Sequence, residues 1–87
     1  MGGHSNEAAK VTQPIEELNY RETLLNLEQK NYSVEFMEGV LYSLHDFLRF
    51  TDPTPYQQEE YQGKIRAFEI AIARAKTRQL LKGEANG

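Results

Sequence analysis

Apolar residues along this chain recur at spacings of three and four, and no segment alternates polar and apolar for long. That periodicity predicts helices and no strands. Punctuation divides the pattern into three elements. The first is predicted from about Pro14 to about Asn31, with Pro14 at the first helical position and Glu16 and Glu17 in the first turn, where the helix dipole favours negative charge. The second is predicted from Val34 to Phe50, capped by Ser33. Tyr32 and Met37 stand at the positions of a hydrophobic staple. The short link Asn31-Tyr32-Ser33 predicts that these two helices form an antiparallel hairpin.

Thr51-Asp52-Pro53-Thr54-Pro55 ends the second helix and starts the third. Thr54, Pro55 and Gln57 read as N-cap, N1 and N3 of a capping box. The third helix is predicted to reach about Lys82, with Gly83 as its stop. At 1.5 Å per residue it is roughly 42 Å long against about 26 Å for each partner, so part of it overhangs. The expected fold is all-α: a helix hairpin packed on a longer third helix. One domain is expected over residues 13–83, between flexible tails at 1–12 and 84–87.

Face by face, helix two carries one broad apolar surface: Phe36, Met37, Val40, Leu41, Leu44, Phe47 and Leu48. Its width predicts the centre of the core. Helix three carries a heptad-like row, Tyr61, Ile65, Phe68, Ile72 and Ala75, also expected in the core. Two helices carry a second row. On helix three it comprises Tyr56, Gly63, Ala67, Ile70 and Leu81, with Arg74 among them. On helix one, Ile15, Leu18, Leu25 and Tyr32 form one stripe, and Tyr20, Leu24 and Leu27 another. A closed three-helix monomer needs one stripe per helix. The surplus therefore predicts an interface with a protein partner or a second copy. Its expected residues are Tyr56, Ala67, Ile70, Arg74, Leu81, Tyr20, Leu24 and Leu27.

Composition narrows the chemistry. The chain has 87 residues and no cysteine, which excludes disulfides, thiolate metal sites and cysteine nucleophiles. No apolar run approaches the roughly 20 residues that cross a bilayer. The N-terminus does not complete a myristoylation pattern, because Asn6 stands where Ser or Thr is required. No membrane role is expected, and the expected location is cytoplasmic. His45, the one histidine away from the N-terminal segment, falls at the edge of helix two's apolar face and is expected to be half-buried and structural. Without converging titratable groups or a glycine-rich phosphate loop, no catalytic residue, metal or cofactor is expected.

The net charge is −3, unevenly distributed. Residues 1–63 hold four Lys/Arg against eleven Asp/Glu, a net −7, and residues 64–82 hold six Lys/Arg against one Glu, a net +5. The basic half of helix three can pair with carboxylates on helices one and two. It can also follow phosphates through Lys64, Arg66, Arg74, Arg78 and Lys82. Two functions follow. The first is a non-enzymatic protein-binding regulator or adaptor, homodimeric, acting by occlusion or scaffolding. The alternative is a small nucleic-acid-binding regulator using the basic end of helix three.

Overall fold

A computed structural model describes residues 14–86, with side chains through Gly83. Three helices follow one another: α1 (Ile15–Lys30), α2 (Val34–Phe50) and α3 (Pro55–Asn86). The predicted tail at 1–12 lies outside the described residues.

The junctions follow their local chemistry. Pro14 sits at the N-cap of α1, one position earlier than predicted, and its carbonyl accepts the Leu18 N–H at 3.1 Å. Asn31 ends α1 in the left-handed conformation (φ 57°, ψ 50°) and donates its N–H to the Leu27 carbonyl. Asparagine tolerates that region because its short polar side chain bonds locally. Ser33 Oγ accepts the Phe36 N–H at 3.2 Å and caps α2. The Tyr32 ring packs at a tilt against Phe36, centroids 4.7 Å apart, one position before the residue predicted for the staple. At α3 the capping box is complete: Thr54 Oγ1 accepts the Gln57 N–H at 3.1 Å, and Gln57 Oε1 accepts the Thr54 N–H at 3.0 Å. Thr54→Ala should therefore cost about 0.5–2 kcal/mol, measured as a lower midpoint in urea. An unchanged midpoint would show that the box contributes nothing. Gly83 does not stop α3, whose helical backbone runs through it to Asn86.

α3 is the spine. The pairs Glu17–Arg66 and Glu28–Arg74 set α1 parallel to it. Glu38–Lys76 and the stacked rings of Phe47 and Tyr61 set α2 antiparallel. The chain reverses at Asn31–Ser33 as a hairpin, yet no Cα of α1 beyond the turn comes within 8 Å of one in α2. Both arms pack on α3, roughly 140° apart around its axis at 100° per residue. The result is flat, 61 × 34 × 16 Å.

The core lies along α3. Of the heptad-like row Ile65, Phe68, Ile72 and Ala75 are buried as predicted, together with Ala67 and Ala71, while Tyr61 is half-buried. α1 contributes Leu27, and α2 contributes Val34 and Met37. This corrects the expectation that α2 is the centre of the core. Phe36 is 50% exposed, and Val40, Leu41, Leu44, Phe47 and Leu48 are only half-buried. The cause is the missing contact between α1 and α2, which leaves one edge of α2's broad face without a neighbour. His45 is exposed, because it points away from α3.

The α1–α3 contact is close for a local reason. A Cβ on Gly63 would lie 2.3 Å from the Glu16 carbonyl oxygen and 2.9 Å from Asn19 Cβ. Gly63, Ala67 and Ala71, spaced by four, form the shallow ridge on which α1 rests.

Candidate interaction surface

The residues predicted for a partner interface divide in two. Ala67 is fully buried, Leu27 is 4% exposed, and Leu24 packs against the core. Tyr20 is half-buried with the Arg66 guanidinium 4.1 Å above its ring. These four meet inside the chain, at the α1–α3 contact. Ile70 is half-buried beside that contact, and Arg74 is exposed and paired with Glu28. Tyr56 and Leu81 remain in solvent, each 58% exposed. The second row on α3 is thus mostly the seat of α1.

The apolar surface lies elsewhere. Leu18 and Leu25 face away from α3 on the outside of α1, Leu80 and Leu81 sit on the overhanging end of α3, and Tyr32, Phe36, Tyr42 and Phe50 are exposed on α2 and its leading turn. Sequence reasoning placed Phe36 in the core and did not single out Tyr42, Phe50 or Leu80. The available signal was that α2 carries aromatic residues around more of its circumference than one contact can cover.

Between α1 and α2 a groove of about 420 Å³ opens over α3. Its α2 wall is apolar, made of Phe36, Val40 and Leu44 with Tyr32 at one end, and Phe68 forms its floor. Its α1 wall is polar, made of Glu22, Thr23 and Asn26, and Lys64 stands at the rim. It is the space that the splayed arms leave unfilled.

Three of the six basic residues on α3 are held by carboxylates: Arg66 by Glu17 at 3.4 Å, Arg74 by Glu28, and Lys76 by Glu38 at 3.0 Å. Lys64, Arg78 and Lys82 make no ion pair among the described side chains. Arg78 and Lys82 flank a second recess against the Asn31–Ser33 link. The charge asymmetry of the sequence is therefore partly neutralised by helix packing.

Glu17 joins two of these contacts. The hydrogen bond from Arg21 at 2.9 Å, assisted by Arg66, holds its carboxyl below the ordinary value for glutamate. A depressed carboxyl stabilises the fold while it is ionised, and the contribution disappears as pH falls through the native pKa. Glu17→Gln should therefore lower the melting temperature at neutral pH, and the gap to wild type should close on acidification. A gap independent of pH would exclude an electrostatic role for Glu17.

Among the described residues no three His, Asp or Glu side chains gather as a metal ion requires, and no helix is long and apolar enough to cross a membrane. No protein-family model matches this chain, and no curated protein or solved structure does so either.

Proposed function

We propose that this chain is a small non-enzymatic regulator or adaptor that binds protein, acting in the cytoplasm by occlusion or scaffolding. The observation that carries this reading is its unfilled apolar surface. Among the described residues three of the nine buried hydrophobic residues are alanines and no large side chain is completely buried, whereas Tyr32, Phe36, Tyr42 and Phe50 are exposed on α2 and its leading turn, and Tyr56 at the start of α3. Isolated exposed apolar residues are ordinary. Here Tyr32 and Phe36 belong to the apolar wall of a groove, and such grouping suits a partner surface. A nucleic-acid role draws less support, since Arg66, Arg74 and Lys76 already face carboxylates.

The test sets both readings side by side. Immobilised protein is expected to retain a defined protein partner or further copies of itself. Titration with duplex and single-stranded nucleic acid is expected to show no binding at physiological salt. Binding that falls steeply with salt and is lost in Arg78→Glu, without any protein interaction, would replace this reading with the nucleic-acid one.

A further inference from the structure

Three glycines lie within helices, Gly39 in α2 and Gly63 and Gly83 in α3, and Gly83 stands in the last turn, where a glycine interrupts little. A glycine weakens a helix relative to alanine, so its presence calls for a reason. At Gly63 the reason is the backbone of α1. At Gly39 an added Cβ meets nothing within 4 Å. Nothing inside the chain requires glycine there. At 100° per residue, Phe36, Gly39, Ser43 and Phe50 share one outer face of α2. Phe36 is 50% exposed and Phe50 is 73% exposed. They stand seven residues to either side of Ser43.

We propose that this face of α2 pairs with α2 of a second copy of the chain, antiparallel, about a two-fold axis at Ser43. The inference rests on the protein-binding reading and names its partner. A two-fold axis sets a patch against itself, so the patch must match its own reversal. This one does. Each Phe36 meets the partner's Phe50, and the small residues Gly39 and Ser43 let the two backbones approach. The partner's Phe50 enters the groove beside Phe36, between Val40 and the Phe68 floor, as a buried aromatic anchor.

Charge supports the same orientation. Glu35 lies in the first turn of α2 and Arg49 in the last, about 40° apart around the helix, off the side of this face that Asp46 borders. Neither makes an ion pair among the described side chains. Antiparallel pairing brings each Glu35 to the partner's Arg49, whereas a parallel two-fold pair would put these flanks on opposite sides and join neither. The Arg49 guanidinium already leans over Phe50, 5.7 Å from the ring centroid.

Sedimentation equilibrium on the full chain tests the pairing, with circular dichroism as a check on folding. Wild type is expected to dimerise, and Phe50→Glu to weaken association by about 100-fold with helicity retained. Gly39→Ala gives effects of opposite sign: a higher melting temperature when dilute, because the helix gains, and dimerisation weaker by about tenfold. Glu35→Arg and Arg49→Glu should each weaken association by about tenfold, and the double exchange should restore it. A wild type that stays monomeric at high micromolar concentration overturns the pairing, as does a double exchange no better than its singles. If that monomer still holds a native protein partner, the self-pairing fails while the protein-binding reading stands.

Discussion

Phe68→Ala is expected to remove about 3 kcal/mol of stability, the lower part of the range for deleting a buried aromatic ring. Phe68 is 8% exposed and touches the cluster formed by Leu27, Met37 and Ile72. It also floors the groove, so water can enter part of the space its ring leaves, which limits the cavity penalty. For a domain of this size such a loss is a large share of the total. Urea denaturation at one fixed concentration of protein measures it, with Leu44→Ala as the comparison. Leu44 lies half-buried on the groove wall and should cost clearly less. Equal losses at the two positions would mean that α2 is packed as tightly as α3 and that the groove is closed in solution.

Gly63→Ala should destabilise by about 1–3 kcal/mol, although alanine is the better helix former by about 1 kcal/mol. The added methyl group would meet the Glu16 carbonyl oxygen at 2.3 Å. That oxygen belongs to helix backbone, so no side-chain rotation relieves the clash and α1 must move away as a unit. Gly63→Leu should detach α1 altogether. The ring of Tyr20 would then leave the Arg66 guanidinium, which tyrosine fluorescence or aromatic NMR shifts can follow. Gly63→Ala that melts higher than wild type would mean the two helices are not in contact there. The contrast with Gly39→Ala makes the pair informative, since the same replacement is expected to act in opposite directions at two positions of similar helical context.

Much of the fold was legible because it depends on neighbours in sequence. Ser33, Thr54 and Gln57 bond to backbone groups three positions away, and those partners are fixed once a helix starts. The α3 row was legible because its spacing of three and four leaves one consistent side to bury. What could not be read was which apolar stripe of α1 turns inward. Leu18 and Leu25 are as apolar as Leu24 and Leu27, and helical periodicity treats the stripes alike. The choice is made by a shape on another helix, the recess at Gly63, and by Glu17 and Glu28 finding arginines more than forty residues away. The breadth of α2's apolar face measures how much could be buried, not how much is. Its exposure is set by the absence of α1 from its side. Ala67, Leu24, Leu27 and Tyr20 were assigned to an outside partner for the same reason: what they pack against lies within the chain.

Asn31 gives the molecule a choice of connectivity. Its left-handed conformation opens the turn between α1 and α2, which the extended Ser33 (ψ 157°) completes. If the link Asn31–Ser33 became helical, α1 and α2 would join as one continuous rod, and α1 would be carried away from its own Gly63. Its complementary recess would then lie on another molecule, so the same contacts could form by exchange of arms between two chains. A residue without asparagine's tolerance adds about 1–2 kcal/mol of strain in the left-handed region. Asn31→Val should therefore shift some of the protein into an arm-exchanged dimer that separates slowly on dilution, unlike a dimer formed by surface contact alone.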